Sequence, residues 1–334
     1  MNPQDLAEYS VIAVYSASAV YAIAFIVFTL DLVKRGSTPA AENRDAASGS
    51  AAAGGLLAAA TESRIGTTVV QQRATATAQA ENGTGGASRW QKVGFSLTVI
   101  AWLVHVGAVL LRGIAAERVP WANMFEFALT GTAIIAGVFI LVQLWRDLRF
   151  LGAYVTGMVT LLLALATINF YVDVVPLPPA LQSIWLVIHV LVAILATGFF
   201  ALGAGLSILQ LLQQRREARK MSGVKFLQTL PGASVLETLA HRVTLVGFVF
   251  WTFTLIFGAV WAERAWGRYW GWDTKEVWTF VIWVVFAGYI HARATRGWNG
   301  SRAAWLAIIG FAAVLFNFTV VNLFFQGLHA YSGL

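Results

Sequence analysis

The sequence predicts an all-α, polytopic integral membrane protein with about eight transmembrane helices and both termini on the outer face. Of its 334 residues, 58% are hydrophobic and only 12% are charged, about half the charged share of a soluble domain. Apolar runs of about 20 residues, the length a membrane-spanning helix needs, recur along the chain. The chain has no cysteine, which excludes disulfides, thiolate metal sites and cysteine nucleophiles.

Runs free of Asp, Glu, Lys and Arg define eight candidate spans. They lie at 9–30, 93–111, 127–145, 150–172, within 174–214, at 243–262, at 277–292 and within 303–334. Three prolines, the last of them Pro179, move the start of the fifth helix to about Leu181. The seventh run has only 16 residues, but an interfacial Trp278 and a snorkelling Arg293 extend it to a full span.

The orientation follows from the positions of the basic residues. With the N-terminus outside, 18 of the 23 Lys and Arg residues fall on inner loops, as the positive-inside rule requires. We therefore expect a multi-pass protein of the plasma membrane. A net charge of +7 indicates a nucleic-acid partner only in a soluble protein. Here the basic inner loops predict contact with membrane lipid, and no nucleic-acid partner is expected.

The composition divides the chain into three parts. Residues 1–35 hold the first transmembrane helix, and residues 90–334 hold the remaining seven. Between them, residues 36–89 contain no aromatic side chain and are rich in Ala, Gly, Thr and Ser. Such a segment cannot bury enough apolar surface to fold, which predicts a disordered cytoplasmic linker and an accessory first helix.

A Trp-rich segment, residues 261–283, carries six of the 14 tryptophans and lies between two apolar runs on the outer face. A dense interfacial aromatic belt is one interpretation, and it suits the outermost members, Trp261 and Trp283. The other is a surface for a flat, apolar ligand. Within the segment, Asp273 and Glu276 have capping-box spacing, which predicts that the seventh helix begins there. Asn123 and Glu126 have the same spacing before the third span, and a capping and a functional role both stay open for them.

Four of the five histidines fall at positions that indicate function. His189 lies near the outer end of the fifth helix and His329 at the outer end of the eighth, so both flank the Trp-rich segment. His105 lies within the second span and His291 toward the inner end of the seventh. A lone intramembrane histidine is usually structural, and His241 is interpreted so, yet an ionisable residue in a span also suggests a functional site.

Two histidines facing each other across an aromatic floor suggest bis-imidazole ligation of a haem iron. The porphyrin would pack on Trp rings, and Arg264, Arg268 and Lys275 could neutralise its propionates. The alternative is an electron-transferring b-type cytochrome. That class carries its paired ligands at regular spacing on two helices. Here each of the four histidines lies on a different helix.

Residues 258–293, GAVWAERAWGRYWGWDTKEVWTFVIWVVFAGYIHAR, resemble the tryptophan-rich "WWD" signature of the haem-handling protein superfamily. The similarity is greatest to the CcsA/ResC branch of the System II cytochrome c biogenesis machinery. Further matching stretches are WLVHVGAVLLRG, VPWANMFEF, ALQSIWLVIHV, ETLAHRVTLVGF and VVNLFFQGLHAYSG. Together they cover most of residues 90–334 in the expected order.

The resemblance implies a specific set of site residues. His189 and His329 would be external axial ligands of haem b, beside a WWD surface at about 261–278. His105 and His291 would form a second, intramembrane haem site used during delivery. The external haem would be cradled by Trp266, Trp270, Trp272 and Asp273.

The resemblance also implies an activity. The chain would be a holocytochrome c synthase (haem lyase) subunit that acts with a ResB-type membrane subunit. It would move haem to the outer face and present it for thioether attachment to the Cys-x-x-Cys-His motif of an apocytochrome c, with His189, His329 and Asp273 as the catalytic set. A haem exporter or chaperone without ligation activity remains the alternative.

Overall fold

A computed structural model describes residues 2–37, 88–175, 177, 181–219, 227–228, 230–295, 298–325 and 327–328. Its helices are α1 (Pro3–Ser37), α2 (Arg89–Ala116), α3 (Met124–Val142), α4 (Gly152–Asn169), α5 (Ile184–Arg219), α6 (Ala233–Trp266), α7 (Thr274–Ala294), α8 (Ser301–Phe318) and α9 (Val320–Phe324). A 3₁₀ turn, Arg149–Leu151, precedes α4. Nearly all of the predicted linker, residues 38–87, lies outside the described part of the chain.

The predicted all-α, polytopic fold is confirmed. Eight helices of the described residues are long and apolar enough to cross a membrane. The short seventh span reaches 21 residues because α7 takes in charged residues at both ends, from Thr274 to Ala294. The second span was predicted to end at residue 111, but α2 continues to Ala116. It does so because the charge of Arg112 is buried against a carboxylate.

Helices α1 and α2 pack along their length through a seam with a seven-residue repeat. Its buried positions alternate in steps of three and four residues, the pattern of a coiled-coil interface. On α1 they are Ser10, Val14, Ala17, Tyr21, Ala24, Phe28 and Asp31. On α2 they are Gln91, Gly94, Thr98, Ala101, His105, Ala108, Arg112 and Ala115.

Small residues let these helices approach closely, as is usual inside membranes. A Cβ atom at Gly152 of α4 would lie 2.4 Å from the ring of Phe28, and one at Gly94 would lie 3.1 Å from it. The Ser10 hydroxyl donates to the Ala108 carbonyl at 2.9 Å. At the other end of the seam, Ser88, the N-cap of α2, donates to Asp31. The first helix is therefore anchored to α2 and α4 in the structure.

The remaining helices surround a second region. α5 packs along α6, α3 packs on α4 and α5, and α8 packs on α5 and α7. The rings of Phe200 and Phe286 stack at 3.6 Å between α5 and α7. At one end of this bundle lie the first residues of α3, α5 and α7 and the last residues of α6 and α8. We call this the loop end, because it carries residues 267–273, the Trp loop.

Candidate functional site

A cavity of about 300 Å³ lies between α3, α4, α5, α6, α7 and α8 at the loop end. On α3 the residues that line the cavity run from Asn123 to Ile135. This stretch corresponds to about 18 Å along a helix, given the rise per residue of an α-helix. Its walls are mostly apolar, with a few polar groups near the loop end. Size and lining fit the usual description of a small-molecule site.

His189 of α5 lines this cavity, and its ring is held in a defined orientation. Its Nδ1 lies 2.9 Å from the carbonyl oxygen of Thr254 on α6. Because a carbonyl only accepts, Nδ1 carries the hydrogen in this contact. A metal-binding histidine is commonly fixed through its other nitrogen in this way.

Gly258 makes that contact possible. It lies one helical turn after Thr254, and a Cβ atom there would be 2.8 Å from Cε1 of His189. The ring therefore occupies the space that any other residue at 258 would fill. The ring of His189 also stacks with that of Trp261, with ring centroids 5.8 Å apart and ring planes inclined by 16°.

The tryptophans divide between the cavity and the surface. Trp261 is 2% exposed and lines the cavity, so its assignment to an interfacial belt is wrong. Its ring meets that of Trp266 edge-on at 4.8 Å. Among the predicted cradle residues, Trp270 lines the cavity. Trp272 contacts Trp270 edge-on at 5.8 Å but is itself 77% exposed.

Glu276 folds the Trp loop back on α7. Its Oε2 accepts the backbone N–H groups of Gly271 at 2.8 Å and Asp273 at 3.0 Å. The predicted capping box of Asp273 and Glu276 is thereby confirmed. Between the two bonded N–H groups, Trp272 has φ 58°, a left-handed conformation that residues with a Cβ atom rarely adopt.

Asp273 also ties the Trp loop to the C-terminal part of the chain. Its Oδ1 accepts the backbone N–H of Leu328 at 3.2 Å. A Cβ atom at Gly327 would lie 2.1 Å from the same oxygen, so this approach requires glycine. His329, the next residue after Leu328, lies outside the described residues.

Two of the three predicted propionate partners, Arg264 and Arg268, do not line the cavity. Arg264 is exposed and lies 3.5 Å from the carboxylate of its neighbour Glu263. Arg268 is exposed, and its guanidinium lies over the backbone of Gly271. Of the basic residues considered from the sequence, the structure brings Lys275 to the cavity wall.

The structure does not bring His105 and His291 together. His105 is fully buried in the seam, where its Nε2 donates to the Leu129 carbonyl at 2.9 Å. The ring of Tyr21 on α1 covers it edge-on at 5.9 Å. His291 is exposed near the opposite end of α7, a helix that packs on α6, α8 and α9. A shared haem site for this pair stays a prediction.

A buried charge network supports the cavity wall and was missed from the sequence. The carboxylate of Glu126 lies 3.1 Å from Arg112 Nε and 2.6 Å from Arg118 Nη1, and it also accepts the N–H of Ala122 at 3.1 Å. Asn123 caps α3 by accepting the Glu126 N–H at 2.8 Å. The spacing of Asn123 and Glu126 had indicated the cap. Arg112 and Arg118, however, were predicted to be charges of an outer loop.

A family model described as cytochrome C assembly protein matches residues 121–329. The chain belongs to this family. It is 33% identical over 261 residues to the cytochrome c biogenesis protein CcsA of Guillardia theta, covering 72% of this chain and 86% of that one. For the CcsA of Chlamydomonas reinhardtii the identity is 39% over 236 residues, which cover 69% of this chain and 65% of that one.

Membership places the chain in cytochrome c biogenesis, as a multi-pass membrane protein. The CcsA of a Synechococcus strain is 31% identical over 292 residues, covering 72% of this chain and 83% of that one. The matched family region includes His189, the Trp loop, His291 and His329. It begins after α2, so the seam with His105 lies outside it.

Proposed function

We propose that this subunit binds haem in the cavity at the loop end and presents it for covalent attachment to an apocytochrome c. The observation that carries the proposal is His189. Its Nδ1–H is committed to the Thr254 carbonyl at 2.9 Å, and its ring lies in an apolar, tryptophan-walled cavity. An imidazole nitrogen in such a setting suits a haem iron.

The residues present fit haem as the substrate. Trp261 and Trp270 supply flat apolar surfaces in the cavity lining, which suit a porphyrin face. The second axial ligand in this proposal is His329. What supports that choice is the bond from Asp273 to Leu328, which holds the chain immediately before His329 at the Trp loop.

Attachment joins haem to the Cys-x-x-Cys-His segment of the apocytochrome. Each cysteine S–H adds across a haem vinyl C=C bond, so that one C–S and one C–H bond form with no net oxidation. The subunit supplies no nucleophile, and its contribution is to hold the reacting groups in place, which can lower a barrier by several kcal/mol. Asp273 and Glu276 contribute by fixing the Trp loop rather than by touching the reacting atoms.

The proposal extends to location and partners. The loop end would face outward from the plasma membrane, because this orientation leaves 18 of 23 basic residues inside. A ResB-type subunit would complete the synthase. His105 and His291 would hold haem during delivery, which requires that α1 move away from His105.

The test begins with the visible spectrum of the purified full-length protein, in which bis-histidine haem gives sharp reduced bands. His189→Ala should remove the signal of the cavity site and abolish cytochrome c maturation, and added imidazole should restore part of both. His241→Ala, a histidine outside the cavity lining, is the matched control.

Reconstitution with haem and an apocytochrome separates a synthase from an exporter. Covalent product that depends on His189 supports the proposal, whereas haem release without thioether formation supports an exporter or chaperone. If His189→Ala retained both the haem spectrum and maturation, the ligand assignment would be removed.

A further inference from the structure

The wall of the cavity formed by α7, α8 and α9 contains polar atoms that the described residues leave without hydrogen bonds. Glu276 and Asn317 are 8% and 9% exposed and line the cavity. Glu276 Oε1, Asn317 Oδ1 and Asn322 Oδ1 have no hydrogen-bond partner in the described structure. Buried polar atoms are almost always hydrogen-bonded, so these unsatisfied oxygens identify a polar stretch of the cavity wall. Because oxygens of this kind only accept, Asn317 and Asn322 would contact an acceptor ligand through their N–H₂ groups.

Lys275 supplies positive charge on the same wall. It is the one cationic residue among the described cavity-lining residues, and no carboxylate of the described chain lies within 4.0 Å of its ammonium group. Arg264 and Arg268, by contrast, are exposed outside the lining. A cation in an apolar cavity attracts an anion more strongly than one in water.

The facing walls are apolar. α3 and α4 contribute Ile135, Met158, Leu162 and Leu165 to the lining. One side of the cavity therefore suits hydrocarbon, and the other suits a charged, hydrogen-bonding group. This asymmetry fits an amphipathic ligand in one orientation and disfavours the reverse one, because reversal would bury a charge against hydrocarbon.

We propose that Lys275, Asn317 and Asn322 form a carboxylate-binding subsite at this wall. The ammonium group would pair with the carboxylate, and each amide can turn its N–H₂ group toward a carboxylate oxygen. This inference rests on the proposed function: for haem, the propionate edge lies against α7, α8 and α9.

The experiment compares two porphyrins in which these groups are either charged carboxylates or neutral methyl esters. The full-length protein in detergent is titrated with ferric protoporphyrin IX and with its dimethyl ester, and binding is followed by absorbance. The signal lost in His189→Ala isolates the cavity site. The wild type should bind the free acid at least tenfold more tightly than the ester, the scale of one charge-assisted hydrogen bond.

Lys275→Met should remove most of that preference and leave ester binding unchanged, which also shows that the cavity is intact. Lys275→Arg should retain the preference, and Asn322→Leu should reduce it severalfold. Arg268→Gln, which neutralises an exposed cation of the Trp loop, is the matched control and should change neither affinity. If Lys275→Met does not fold, Asn322→Leu carries the same comparison.

Three outcomes would overturn the subsite. An equal affinity of the wild type for both porphyrins would remove it while leaving haem binding in place. A preference that survives in Lys275→Met and Asn322→Leu would place the carboxylates elsewhere. Binding of neither porphyrin would remove the proposed function itself, and the subsite with it.

Discussion

Two histidines of this protein, His105 and His189, make the same local contact in opposite surroundings. Each ring donates to a backbone carbonyl of a neighbouring helix at 2.9 Å. His105 is sealed in the α1–α2 seam beneath Tyr21, whereas His189 lines a cavity beside Trp261. The difference shows that the hydrogen bond orients an intramembrane histidine, while the helix packed over the ring decides whether a ligand can reach it.

The largest expected effect tests the buried charge network of Glu126, which holds Arg112 of the seam. Glu126→Gln would leave Arg112, which is fully buried, and Arg118 without a counter-charge. We expect it to lower the free energy of unfolding by about 3–5 kcal/mol, measured by denaturation in detergent. Asp147→Asn, which breaks an exposed pair with Arg149, should cost less than about 1 kcal/mol. Equal losses of unfolding free energy in the two variants would show that the buried network stabilises the fold no more than an exposed ion pair does.

On the cavity side, Gly258→Ala should displace the ring of His189, the proposed haem ligand, without changing that residue. The new Cβ atom would lie 2.8 Å from Cε1 of His189, so the ring must leave the Thr254 carbonyl. We expect cavity-bound haem absorbance to fall at least tenfold, since a shift of about 1 Å can cost about 100-fold in function. Gly107→Ala on α2, where nothing lies within 4 Å of the added atom, is the control. An unchanged spectrum would argue against His189 as a ligand.

A smaller effect is expected where Asp273 meets the C-terminal part of the chain. Gly327→Ala would place a Cβ atom 2.1 Å from Asp273 Oδ1 and so break the bond to the Leu328 N–H. We expect severalfold weaker haem binding with little loss of stability, measured by absorbance titration and thermal unfolding. Gly288→Ala, where the added atom meets nothing within 4 Å, should change neither quantity.

The smallest effect probes the cover over His105. The Tyr21 hydroxyl is buried with no hydrogen-bond partner in the described structure. Tyr21→Phe should therefore leave the free energy of unfolding unchanged or raise it by about 1 kcal/mol, because a desolvated polar group is removed. A clear loss of stability would mean that the hydroxyl has a partner. Tyr21→Ala is the contrast, and should expose His105 to an imidazole-modifying reagent.

The fold was predictable because charge is excluded from the bilayer interior. Apolar runs located the eight spans, and the capping-box spacing located the start of α7. The seam was not found, because its buried positions are largely small or polar residues such as Ser10, Gly94 and Thr98. Hydropathy does not separate such a face from the lipid-facing one.

The site was predictable only in part. Trp270, within the Trp-rich segment, and His189, predicted to flank that segment, both line the cavity. Sequence position did not show that Trp261 faces inward, or that Lys275 rather than Arg268 reaches the cavity. Which way a side chain points depends on helix rotation, and that is set by packing partners far away in the chain.

The backbone at Trp272 has a consequence for engineering this protein. A left-handed residue that carries a Cβ atom raises the energy of the folded state by about 1–2 kcal/mol, and here that residue displays a ring that is 77% exposed. Glycine at 272 would relieve this strain and delete the ring at the same time. A search for more stable variants would therefore select against the indole.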